Sequence, residues 1–115
     1  VAEFNRREFF QCHETLEELW KRERRSVRDL YRGILQVAVG CYHLGRGNHR
    51  GATFSLDHGL LRLRPFAPVC QGVDVGDLIA QAESLARALF NHGPGSLSDA
   101  DPATYPTIRL VAGRA

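Results

Sequence analysis

Lysine is nearly absent from this sequence: Lys21 is the single lysine among fifteen basic residues, and the rest are arginines. That bias assigns no function by itself. Cysteine is scarce and odd in number, with Cys12, Cys41 and Cys70 and no C-x-x-C spacing, which excludes a disulfide framework and a zinc knuckle. Cys12 and Cys41 stand among apolar residues and read as small buried hydrophobes. No apolar run approaches the ~18 residues of a membrane span. No signal peptide precedes Phe4, so the expected compartment is the cytoplasm. Charge of one sign is lacking too. A net charge of +2 argues against a strongly electrostatic nucleic-acid binder. Nucleophile elbow, Walker loop and dinucleotide fingerprint are all missing. His13-Glu14 is no zinc-protease motif, because Glu17 stands where the second histidine would be needed.

What remains is helical. The 115 residues suit one domain, and 43% apolar with 24% charged residues is ordinary for a globular chain. Asn5 followed by Glu8 predicts a capped helix start, with the helix running from about Arg6 to Arg22. At ~100° per residue, Leu19, Cys12, Leu16, Phe9, Trp20, His13, Glu17 and Phe10 share one half of its wheel, with Glu14 at the rim. Ser26 with Asp29 predicts the next start. The second helix then spans about Val27 to Leu44 and is apolar nearly all round. Gly33 and Gly40, seven apart, each cost about 1 kcal/mol of helix stability, which a close approach by another helix would explain. Arg32, Gln36, Val39 and His43 form a more polar stripe. Asn48 caps a third helix, His49 to Leu63, which Pro65 and Pro68 stop. The stretch from Ala67 to Val73 reads as a loop. Asp74 with Asp77 opens a fourth helix that ends at Asn91-His92-Gly93-Pro94. The expected fold is all-α, a compact bundle of four main helices over residues 1–94. Residues 95–115 form a tail, and its part from Tyr105 to Val111 either lies extended on the bundle or is disordered.

The candidate chemistry is H-x-x-x-E-x-x-W. His13 and Glu17, four apart, share a helix face, and Trp20 follows one turn on. A carboxylate flanked by Phe10, His13 and Trp20 is expected to be partly buried. It then needs a proton, a donor or a cation. A divalent metal ion would serve both residues, but metals usually take about four donors. Glu14, His43, Gln36 and Asn48 are the residues that could complete a site. The alternative is a structural polar core in which His13, Glu17, Gln36 and His43 fix helix register.

These same positions carry a resemblance. Phe4-Asn5, His13-Glu14, Leu16-Glu17 and Trp20, then Gly33-Ile34-Leu35-Gln36, His43, Gly47-Asn48 and Gly51-Ala52, resemble the prokaryotic domain-of-unknown-function family numbered 309. The likeness covers residues 3–63 well and the fourth helix loosely. It implies an all-helical fold and a signature, H-x-x-x-E-x-x-W/Y, that falls on His13, Glu17 and Trp20 and points to metal binding, with His13 and Glu17 as the ligands. It implies no particular reaction.

Two functions therefore stay open, and whether the protein is an enzyme stays open with them. In the first, a metal ion or small ligand binds between helices 1 and 2 at His13, Glu17 and His43. Glu14, Trp20, Gln36 and Asn48 support it. In the second, the chain is a non-enzymatic interaction domain. Its His/Glu cluster is structural glue, and Lys21, Arg22, Arg24, Arg25, Arg28 and Arg32 meet a partner or nucleic acid. A solvated face, with Glu18 pairing to Arg22, accounts for those charges more simply. Gly45 to Asn48 could cradle an anion with Arg46 and Arg50, though a plain helix connector is the simpler reading. His49, His58 and His92 receive no role. A small helical domain often buries a leftover apolar face by forming a homodimer, but the sequence does not identify that face.

Overall fold

The computed structural model describes residues 2–22, 26–92 and 105–110. In chain order the elements are α1 (Ala2–Asn5), α2 (Phe9–Arg22), α3 (Arg28–Gly45), α4 (His49–Leu63), a 3₁₀ turn (Arg64–Phe66), β1 (Val69–Cys70), β2 (Val73–Asp74) and α5 (Val75–His92). Four long helices dominate, as the periodicity predicts.

The start of the first long helix differs from expectation. Asn5 ends the short α1, and α2 begins only at Phe9. Between them Arg7 takes a left-handed backbone, with φ 63°, which costs a non-glycine residue roughly 1–2 kcal/mol. The Arg6 guanidinium grips Glu8 across this turn, at 3.1 Å and 3.0 Å. Its hydrogen bond holds the Glu8 carboxyl below the usual carboxylate range. Asn5 does not cap. Its Nδ2 donates to the Ile108 carbonyl at 2.9 Å, and its Oδ1 accepts from the Ile108 amide at 2.6 Å. The side-chain amide thus acts as a piece of strand edge for the C-terminal segment.

Gln81 of α5 does the same one residue earlier, donating to the Thr107 carbonyl at 3.0 Å and accepting from the Thr107 amide at 2.9 Å. The Asp74 amide donates to the Arg109 carbonyl at 2.8 Å, and Val73 bridges Leu110 in antiparallel fashion. Residues 105–110 therefore lie extended on the bundle, with Pro106 and Ile108 buried. The expected loop from Ala67 to Val73 holds a two-residue hairpin, Val69 opposite Asp74 and Cys70 opposite Val73. Gly72, at φ 74°, permits its turn.

Other boundary expectations divide. Asn48 caps α4 by accepting from the Gly51 amide at 2.9 Å, and Asp74 accepts from the Asp77 amide at 2.9 Å. Ser26 makes no side-chain cap. Val27 occupies the cap position of α3, and the Ser26 carbonyl accepts from the Asp29 amide. That start is tightened by backbone bonds alone.

The core sits where α3 meets α4. A Cβ on Gly33 would meet Leu63 at 2.9 Å, and one on Gly40 would meet Leu56 at 3.0 Å and the Ala52 carbonyl at 3.3 Å. Both glycines are there because α4 runs against them. Leu30, Ile34, Val37 and Leu44 of α3 bury against Leu56, Leu60 and Leu63 of α4, with Leu78, Leu85 and Leu89 of α5 in the same core.

Cys12 and Cys41 are buried, while Cys70 is half-buried. Burial, reinforced by Cys12 nearby, pushes the Cys41 thiol up to about 12. The folded thiol keeps its proton through a range in which an unfolded one, ordinary near 9, has lost it. Stability from this group is thus complete below about pH 9 and is lost as pH rises through about 12, at up to ~1.4 kcal/mol per pH unit. Urea midpoints should fall between pH 8.5 and 10.5, and Cys41→Ala should flatten the decline. An equally steep decline in that variant assigns it to other groups.

Candidate functional site

Helical spacing puts Phe10 and His13 on one face of α2, and Val39, Tyr42 and His43 on one face of α3. Where the two faces meet, these five side chains line a hollow of about 210 Å³. Its walls are largely carbon. The Phe10 and Tyr42 rings lie 6.2 Å apart, tilted by 42°. The two histidines and Tyr42 are the lining residues that carry polar atoms, though the surface that faces the hollow is almost all carbon. Both histidines are half-buried. His43 Nδ1 lies 3.4 Å from Asn48 Nδ2, so Asn48 caps α4 with its oxygen and reaches His43 with its nitrogen. A second hollow of about 260 Å³ opens beyond Tyr42, lined by Arg7, Cys41, Gly45, Arg46 and Tyr105. The Arg46 guanidinium sits 5.7 Å from the centre of the Tyr42 ring.

The other sequence candidates lie elsewhere. The Glu17 side chain is 39% exposed and faces Lys21, with Oε1 3.8 Å from Nζ. Among the described residues it makes no hydrogen bond to His13. Gln36 accepts from Arg62 Nε at 2.9 Å, tying α3 to α4. Trp20 lies under two guanidinium groups, Arg28 at 4.7 Å and Arg32 at 5.1 Å. Glu14 is exposed. Among the described residues no three His, Cys, Asp or Glu side chains stand together as metal ligands. Sequence reasoning placed Phe10 and Val39 on the correct faces but gave them no part in a site, and it passed over Tyr42. Tyr42 precedes the stripe residue His43, and only the approach of α2 reveals that its ring closes the hollow.

In the cation-rich region around the first connection, two of the described cations meet carboxylates and two keep their charge while stacking on an aromatic ring. Arg22 lies 3.4 Å from Glu18, Lys21 pairs with Glu17, and Arg28 and Arg32 stack on Trp20. Arg24 and Arg25 fall outside the described residues. No helix among the described residues is long and apolar enough to cross a membrane.

Residues 1–54 match the family described as "Domain of unknown function (DUF309)". Over 82 residues, 69% of this chain, the sequence is 35% identical to the uncharacterized protein YpuF of Bacillus subtilis (strain 168), covering 47% of that protein. Over 85 residues, 71% of the chain, it is 26% identical to an uncharacterized protein of Aquifex aeolicus (strain VF5), covering 25% of it. The chain thus spans about half of one relative and a quarter of the other. No solved structure matches.

Proposed function

With residues 1–54 belonging to the DUF309 family, we propose that the chain binds a small organic ligand in the hollow between α2 and α3. His13 and His43 are its polar contacts, and Phe10, Val39 and Tyr42 are its walls. One observation carries this reading: side chains of two helices, His13 and His43 among them, line a single hollow whose surface is almost all carbon. Each imidazole can donate or accept according to its tautomer, so the pair suits a ligand with a hydrogen-bonding or acidic group. Size narrows the class. A cavity of about 150 Å³ holds benzene, so about 210 Å³ suits one substituted ring.

The metal reading has less support. A divalent ion would find His13 and His43 here, and Glu17 could join only by leaving Lys21. That is short of the about four donors such ions usually take. Bacterial relatives support a prokaryotic setting, and a cytoplasmic location is part of the proposal.

The test is a nuclear magnetic resonance titration with single-ring acids and amides, benzoate first. The expected result is movement of the His13 and His43 ring signals at millimolar fragment. Val39→Trp, which fills the hollow, abolishes the response while helicity is kept. Failure of every fragment to move either imidazole overturns the proposal. A parallel melting curve with Zn²⁺ and then chelator should show no shift. A His13-dependent rise with Zn²⁺ would replace the organic ligand with a metal.

A further inference from the structure

Tyr42 lines both hollows of this region. The first, between α2 and α3, is almost all carbon and suits a ring. The second, of about 260 Å³, has a partly polar surface, and Arg7 and Arg46 are among its lining residues. Arg46 stands just past the end of α3, with its guanidinium 5.7 Å from the centre of the Tyr42 ring. Arg7 stands in the turn between α1 and α2, with its guanidinium 5.4 Å from the centre of the Tyr105 ring. Both rings line the second hollow, so the two cations stand at its walls. Contact with a ring face leaves most of the five N–H donors of each guanidinium for another partner.

No carboxylate offsets this pair. Lys21, Arg22 and Arg64 meet Glu17, Glu18 and Glu83, and Arg6 holds Glu8. Arg7 and Arg46 meet no Asp or Glu among the described residues, and none lines the hollow. Cys41, also in the lining, adds no negative charge, because burial keeps its thiol protonated. The C-terminal carbonyls of a helix repel an anion. Here those of Tyr42, His43 and Leu44 already accept from the amides of Arg46, Gly47 and Asn48. The place of Arg7 is costly as well. Its amide donates to the Phe4 carbonyl at 3.0 Å and closes α1 with a left-handed residue, a helix end that glycine fills with least strain. Gly47 and Gly72 take that backbone freely. Arginine at position 7 gives up stability and sets its side chain on the hollow.

We infer that the ligand whose ring fills the α2–α3 hollow carries an acid group on a short chain, and that this group passes Tyr42 to lie between the guanidinium groups of Arg7 and Arg46. The inference rests on the proposed ring site and names the class of its ligand, a single-ring carboxylate or phosphate. Paired guanidinium groups give either acid charge-assisted hydrogen bonds, about twice as strong as those a neutral amide receives.

Magnetic resonance titrations with three matched fragments test this, read at the His13 and His43 rings: 3-phenylpropanoate, 2-phenylethyl phosphate and the neutral 3-phenylpropanamide. The amide reports the ring site, and the acids report the arginines. At least one acid should bind about tenfold tighter than the amide, and the tighter of the two identifies the acid group. Arg46→Gln should lower that acid-to-amide ratio toward one. Arg7→Gly should lower it too while melting close to the wild type, because the relaxed backbone offsets the lost contact with Tyr105. An amide that binds as tightly as both acids overturns the inference and leaves the ring site standing. An acid preference that survives Arg7→Gly and Arg46→Gln together belongs to the imidazoles and overturns it equally. If no fragment moves either histidine, the ring site itself fails and the inference falls with it.

Discussion

Gly59→Leu should cost the protein about 3 kcal/mol or more, a large share of the roughly 5–15 kcal/mol that holds such a domain folded. Helix propensity alone points the other way, because leaving glycine for leucine inside a helix gains close to 1 kcal/mol. Packing reverses the sign. A Cβ on Gly59 would stand 3.0 Å from the Gly33 carbonyl oxygen, 3.0 Å from Val37 Cγ2 and 3.2 Å from the Val37 amide. Two of those neighbours are backbone, so they cannot rotate away. α4 would have to lift from α3 and strip the burial of Leu56, Leu60 and Leu63 together. Urea denaturation of wild type, Gly59→Ala and Gly59→Leu should give midpoints falling in that order. If the leucine variant matches the wild type, the α3–α4 contact is looser than described.

Phe4→Ala should be comparably damaging, at about 3–5 kcal/mol. Phe4 is fully buried although it belongs to a helix of only four residues. So short a helix has no stability of its own, and Phe4 is what docks it. The loss should spread beyond α1, because the neighbouring Asn5 supplies both hydrogen bonds to Ile108. In the variant, the Ile108 amide should therefore exchange with solvent faster than amides inside α3. Phe10→Ala, at a half-exposed ring of the neighbouring helix, is the control. Equal losses for Phe4→Ala and Phe10→Ala would show that α1 docks by another contact.

Much of the helical plan was legible because helical burial has a short period. Cys12 and Leu16, Gly33 and Gly40, and Leu56, Leu60 and Leu63 fall on the faces their spacing predicts. Local capping chemistry was readable where donor and acceptor lie three residues apart, as at Asn48 and Asp74. It misled at Asn5, where the same amide found a partner 103 residues away. The split between α1 and α2 was equally hidden, since Arg7 gives no sign of a left-handed backbone.

The candidate site divides along the same line. His13 and His43 could each be named from the chain, and so could the faces they occupy. That they open onto one hollow with Tyr42 depends on how α2 lies across α3. Glu17 shows the converse. Its place in the apolar arc predicts partial burial, which it has, yet its carboxylate lies 3.8 Å from Lys21 Nζ, one turn on, and not against His13.

Periodicity and glycine spacing by themselves determined four long helices, their inward faces, and a close approach along Gly33 and Gly40. These follow from interactions within one or two turns, which the chain encodes locally. Only the tertiary structure decided the partners of the two side-chain amides, the extended seat of residues 105–110 with its bridge to Val73, and which imidazoles share a pocket. Those pairings join segments far apart in the chain, and the relative placement of packed helices, not any local preference, brings them within hydrogen-bond reach.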